Sequence, residues 1–267
     1  MKKKIALTLF TCILVFLSCS KDTEVTPNGS SATIDKSGNR LSTGASARDL
    51  LSNTDYDKLL IEIDYVTGFA PTAEAIANFE EFLLARTHKQ TIEFKYASVP
   101  SPNEESLTLD EIVDLETEHR DEFNDGSTLA IHLYFADAPA ESDNDEEGLV
   151  TLGAVYRNTS MVIYESTVRD MGNNSSAVTV SDVETATLFH EFGHLFGLVN
   201  LSTTSVNDHE DPDAENHCNV DGCLMRAELQ FGASLLKQME SRASKGLASI
   251  PDFDAECLLD LQKYGGR

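Results

Sequence analysis

Residues 181–199 read SDVETATLFHEFGHLFGLV, a segment that leaves few folds open to the chain. Ser181 with Glu184 three residues on has the form of a capping box, and the apolar residues beyond it predict a helix over the span. On a helix, His190 and His194 lie on one face with about 6 Å of rise between them, so both imidazoles can reach one metal ion. Glu191 follows the first histidine, where a carboxylate beside a metal-activated water can take its proton and pass it to a leaving amine. Phe192, Leu195, Phe196 and Leu198 make the other faces apolar, which predicts a buried helix, and buried histidines need partners. The plain alternative is a pair of surface or core histidines in an ordinary helix. Gly193 and Gly197 weaken the helix by about 1 kcal/mol each, which packing or a close turn must offset.

His209 and His217 follow, whereas His88, His119 and His132 stand singly in predicted helix or strand, where a structural or surface role is the default. His209 lies in the acidic run DHEDPD, residues 208–213. That run is expected to be a solvated loop or part of a hard-cation site such as Ca2+, although its spacing matches no recognised cation loop.

The stretches HEFGHLFGLVN, residues 190–200, and HCNVDGCLM, residues 217–225, resemble the metzincin metalloproteases, most specifically their archaemetzincin-like branch. The first is similar to HExxHxxGxx followed by a third residue, the second to HCxxxxCxM. The resemblance implies an α+β, zincin-like fold: a mixed twisted sheet backed by helices, with a long active-site helix. It implies Zn2+ held by His190 and His194, with Glu191 as general base, Gly197 at the turn, His217 as third ligand and Met225 as the turn methionine. Three residues after the glycine, where the family has its third histidine, this chain has Asn200, and an amide is a poor zinc ligand beside an imidazole. An insertion that loops out residues 200–216 returns His217 to the ligand position, since loop-closure cost grows slowly with length. His209 is the alternative third ligand; a glutamate ligand further on, such as Glu228, would mean a different protease class.

In that branch four cysteines hold a second, structural zinc, the last pair spaced CxxC. Here Cys257 is followed by Leu258, Leu259 and Asp260, so one thiolate is missing. The expectation is a disulfide between Cys218 and Cys223 that leaves Cys257 free and buried. The alternative is a metal held by the three cysteines with Asp260.

Elsewhere the patterns predict strands at 59–65, 91–99, 128–136, 149–156 and 161–164. Helices are predicted at 71–87, with Pro71 in the first turn, at 108–123 and at 227–244, and an acidic exposed loop at 137–148. This order describes a mixed sheet backed by helices. The resemblance suggests that the strand at 149–156 or 161–164 borders the cleft and pairs with an extended substrate. Tyr156 or Tyr164 would be the hydrogen-bond donor to an oxyanion.

Residues 1–18 carry three lysines, an apolar run too short for a membrane span and a small residue, and read as a signal peptide. Cys19 follows Phe16-Leu17-Ser18, which resembles a bacterial lipobox, so Cys19 is expected to be lipidated. Ser20, Lys21, Asp22 and Glu24 resemble the outward-sorting signal of Bacteroidetes-type lipoproteins. Residues 19–54 are expected to be a lipidated flexible tether, and 55–267 a catalytic domain with an upper part to 199 and a lower part from 200. The expected location is the outer membrane or the cell surface, through a lipid anchor. A net charge of -25 argues against nucleic-acid binding, since it opposes phosphate backbones. The expected function is zinc-dependent hydrolysis of peptide bonds in extracytoplasmic proteins. The alternative is a catalytically inactive surface binding lipoprotein on a metalloprotease fold, to which Asn200 gives weight. No sequence feature speaks to the oligomeric state.

Overall fold

Successive residues of β1 (Lys58–Val66) face opposite ways, as strand pleating requires, and both faces are covered. On one face Leu59, Ile61 and Ile63 join Leu129, Ile131 and Leu133 of β3 (Thr128–Phe135) and Met161 and Ile163 of β5 (Ser160–Ile163). On the other, Val66, Tyr134 and Val162 form a second apolar cluster. The computed structural model describes residues 34–144, 150–227 and 232–267. The sheet order is β2-β1-β3-β5-β4, with β2 (Thr91–Val99) at one edge and β4 (Gly153–Arg157) at the other. All neighbours are parallel except β4, which runs antiparallel to β5. The first face is covered by α2 (Ala73–Arg86) and α5 (Val180–Leu195), whose Phe79 and Phe192 rings meet edge-on at 4.7 Å. The second is covered by α3 (Leu109–His119) through Ile112. This is the mixed, twisted, helix-backed α+β sheet that the pattern predicts.

The tether expected over residues 19–54 does not extend to residue 54. Asn39 is buried and its amide donates to Asn124 Oδ1, Ala130 O and Thr159 Oγ1. A short helix, α1 (Ala47–Leu51), buries Leu50 and Leu51 completely. The Ser- and Asn-rich composition that reads as a linker serves here as hydrogen-bonding material, so residues 34–267 form one compact unit. The leader at 1–18 and Cys19 lie outside the described residues.

Several boundaries shift. Pro71 precedes Thr72, the N-cap of α2, and so stands outside the first turn. α5 starts earlier than expected: its capping box is Thr179 with Asp182, whereas Ser181 and Glu184 are buried inside the helix. Glu184 instead accepts hydrogen bonds from the N–H and hydroxyl of Thr72, tying α2 to α5. α5 ends at Leu195, because Gly197 turns the chain with φ +72°. The patterns miss α4 (Glu165–Asn174), the hairpin of β6 (Glu210–Asp211) and β7 (Ala214–Cys218), and α7 (Ala255–Tyr264). The helix expected at 227–244 is α6 (Gly232–Ser244), and Glu228 lies outside the described residues. No helix among the described residues is long and apolar enough to cross a membrane.

Candidate metal centre

α5 presents His190 and His194 on one face, their Nε2 atoms 3.2 Å apart, and β7 brings His217 across to them. One ligand nitrogen from each of the three lies within 4.8 Å of the others. The His190 and His217 rings stack at 5.4 Å, and His194 stands nearly perpendicular to both. Two nitrogens bonded to one tetrahedral zinc at about 2.0–2.1 Å stand roughly 3.3 Å apart, so the observed pair fits such an ion. His190 Nδ1 is 2.8 Å from the Leu224 carbonyl, which can only accept, so its proton is held there and Nε2 turns a lone pair to the cluster. His217 Nδ1 is held likewise by Glu215 O at 2.9 Å. Burial, with His217 nearby, lowers the His190 pKa to about 3, and burial lowers His194 well below the usual histidine range. Both are therefore neutral imidazoles, the form a metal ion requires.

Glu191 is 2% exposed, and burial raises its carboxyl to about 8 against a hydrogen bond from the Val155 backbone. A cleft of about 320 Å³ is lined by Thr43, Val155, Glu191, His194, Glu215 and His217. β4 closes one side so tightly that a Cβ on Gly153 would come within 2.8 Å of Glu191 Cγ. Met225 is fully buried beneath the helix, and a Cβ on Gly193 would fall 2.1 Å from its sulfur, which accounts for a glycine in mid-helix.

The return of the chain to His217 is closed by a residue that the sequence reading does not single out. Glu210 accepts from the Asn200 side chain at 2.6 Å and from Asn216 N at 2.7 Å, joining the two ends of the 200–216 segment. Asn200 therefore lies outside the imidazole cluster, with its Oδ1 also taken by Ser205 N. Leu224 O, Gly153 and Glu210 have no signal in motif spacing, since each acts on a partner far along the chain.

His209 is not brought to this cluster. Its Nδ1 lies 3.3 Å from Cys218 Sγ and its Nε2 lies 3.0 Å from Asp260 Oδ2. The expected Cys218–Cys223 disulfide is not formed: Cys218, Cys223 and Cys257 are all free and buried. Cys218 faces His209, while Cys223 Sγ lies 3.6 Å from Cys257 Sγ, far beyond the roughly 2.0 Å of a bond. Asp260, the fourth donor considered with the cysteines, is spent on His209 and Val206 N. Of the other histidines, His132 is buried against Asp64 Oδ2 at 2.9 Å, and His119 ends α3. Between the two tyrosines, Tyr164 is the one whose hydroxyl senses the site: burial raises it to about 12, with Asp143 and Glu191 adding to the shift. Tyr156 is raised by burial and by Glu116, away from the histidines.

No family model matches the chain, and no curated protein matches it. Among solved structures, archaemetzincin from Methanopyrus kandleri is similar, with 17% identity, a TM-score of 0.47 and coverage of 79% of this chain and 96% of that one. Metalloproteinase-II from Bacteroides fragilis is similar at 11% identity and a TM-score of 0.37, covering 80% of this chain and 56% of that one. At such identities the likeness concerns the fold alone.

Proposed function

We propose that the chain is a zinc-dependent peptidase, with His190, His194 and His217 as metal ligands and Glu191 as general base. The observation that carries this reading is the convergence of three imidazoles in one cleft with a buried carboxyl group from the helix that carries two of them. Zinc bound there would polarise a peptide carbonyl and acidify the attacking water. The Leu224 carbonyl holds the His190 proton on Nδ1, so the ring faces the ion as an acceptor. The Glu191 carboxylate would take a proton from the attacking water and deliver it to the leaving amine nitrogen. The edge strand β4 offers backbone groups to an extended peptide beside Glu191. Asn200, which gave weight to a non-catalytic scaffold, is absorbed in closing the insertion.

The zinc-loaded chain is expected to cleave internal bonds in a peptide library. Glu191→Gln is expected to lower cleavage by about 10²–10⁴-fold with zinc content unchanged. Cleavage that persists in that variant, or in chelated protein, would overturn the reading. The same proposal places the substrate outside the cytoplasm, on the strength of the leader and the lipobox-like sequence before Cys19. Incorporation of labelled fatty acid that is lost in Cys19→Ala supports the anchor; equal labelling of both refutes it.

A further inference from the structure

We propose that Glu215 sets the specificity of the cleft by pairing with a lysine or arginine side chain close to the scissile bond, a selectivity that rests on the peptidase reading above. Most of the cleft wall is apolar. Ala154 and Val155 of β4 form one part of it, Leu109 at the start of α3 another, and Leu201 at the start of the 200–216 segment a third. Leu201 is braced by the N-terminal stretch, for Gly44, at φ +78°, packs so close that a Cβ would stand 3.1 Å from its backbone. Among the described residues that line the cleft, the acidic ones are Glu191 and Glu215, and no lysine or arginine joins them. Glu191 has its own task at the attacking water, which leaves Glu215 as the carboxylate to be matched by a substrate.

The main chain around Glu215 is fixed on both sides. Ala214 pairs with Asp211 across the hairpin, and the Glu215 carbonyl accepts from His217 Nδ1 at 2.9 Å. Asn216, at φ +62°, donates its N–H to Glu210 Oε1 at 2.7 Å. The Glu215 side chain itself is exposed, and no ion pair among the described residues engages its carboxylate. The two glutamates of the hairpin thus divide the work. Glu210 is spent on Asn200 and Asn216 in closing the segment, whereas Glu215 lines the cleft with its carboxylate unspent.

The mixture of wall chemistries defines the ligand. Leu109, 44% exposed, and Leu201 offer apolar surface beside a single carboxylate, which suits a side chain that is apolar along its stem and cationic at its tip. Lysine and arginine have that form, and the arginine fork adds paired donors matched to a carboxylate. Reach is sufficient as well. Two residues of chain span at most about 7 Å, so Glu215 stands within that distance of His217 along β7. A peptide residue within two of the scissile bond lies no further from the reacting carbonyl.

The test uses the full zinc-loaded chain and peptides blocked at both ends, with arginine or glutamine placed at successive positions. Affinity is read by fluorescence anisotropy on Glu191→Gln protein, which holds a peptide without cutting it, and kcat/KM on the wild type. At one position arginine is expected to be favoured by about fivefold or more in both measures, with the ratio falling toward one as salt is added. Glu215→Gln is expected to remove that ratio, and Glu215→Lys to invert it in favour of glutamate at the same position. Because Glu215→Gln changes a net charge of -25 by one, it leaves the long-range field of the chain in place. An arginine preference that survives it belongs to that field and overturns the proposal. The salt series on the wild type needs no variant, and a ratio near one at low salt overturns the proposal even if the variants do not fold. Peptides cut with no such preference overturn the selectivity and leave the peptidase reading intact. A chain that cuts nothing yet binds the arginine peptide more tightly through Glu215 refutes the peptidase reading and leaves the cation subsite standing.

Discussion

Gly153 and Gly193 show how much of the site depends on missing side chains. A Cβ on Gly153 would meet Glu191 Cγ at 2.8 Å and Oε1 at 3.1 Å, so Gly153→Ala is expected to displace the carboxylate. Cleavage should fall by about 10²-fold while zinc content is kept, because a small misplacement of a reacting group is costly; equal loss of zinc and activity would contradict this. Separate His217→Ala and His209→Ala variants should divide in the same assay. The first is expected to lose zinc from the cluster at His190 and His194 and the second to keep it. At this scale the motif was legible wherever its partners are neighbours in sequence: His190, Glu191 and His194 share one helix, and four-residue spacing dictates their common face. Gly153 and Leu224 O were not legible, since they meet α5 only through the folded sheet and loop. His209 was misread as a rival for the first cluster because nothing in its acidic neighbourhood shows that Asp260, 51 residues on, holds its ring.

The start of α5 is a contest between two boxes of the same form, Thr179 with Asp182 and Ser181 with Glu184, and burial decides it. Thr179 Oγ1 accepts from Asp182 N and Asp182 Oδ2 accepts from Thr179 N, at an exposed end where the helix needs a cap. Thr179→Ala is therefore expected to cost about 1 kcal/mol in denaturant unfolding. Ser181→Ala, a change inside the helix, is expected to cost less than about 0.5 kcal/mol; the opposite ranking would contradict the assignment. The strands β1 and β3 were legible because long apolar runs suit strands covered on both faces, and β2 because its β-branched and aromatic residues suit a strand even at an exposed edge. The β6–β7 hairpin was not, since it is a short polar pair held by Glu210 bonding to both Asn200 and Asn216. α4 was missed because its polar sequence buries only Glu165, Val168 and Gly172.

The molecule as a whole reaches back to residue 34, and its N-terminal segment helps to line the cleft through Thr43. A chain that starts at residue 55 is expected to lose Leu50, Leu51 and the Asn39 hydrogen bonds, and Leu50→Ala alone to cost about 2–5 kcal/mol. The segment was read as a tether because its few apolar residues are unspaced, and only the surrounding fold reveals the burial. Stability should also depend on pH through Glu165. Burial, then the charge and hydrogen bond of Glu184, raise its carboxyl from 4.5 to about 9, and Arg169 opposes this without outweighing it. The folded chain keeps a proton that the unfolded chain releases. This contribution to stability is full below about pH 4.5, declines as pH rises, and is gone above about 9. Glu165→Gln is expected to flatten that decline in unfolding measurements from about pH 5 to 9, and an unchanged slope would contradict it. The most direct measurement of the central claim is anomalous diffraction at the zinc edge from crystals grown with the metal. The account predicts a peak about 2.0–2.1 Å from a ring nitrogen of each of His190, His194 and His217. An empty cleft with those three rings turned apart would contradict it.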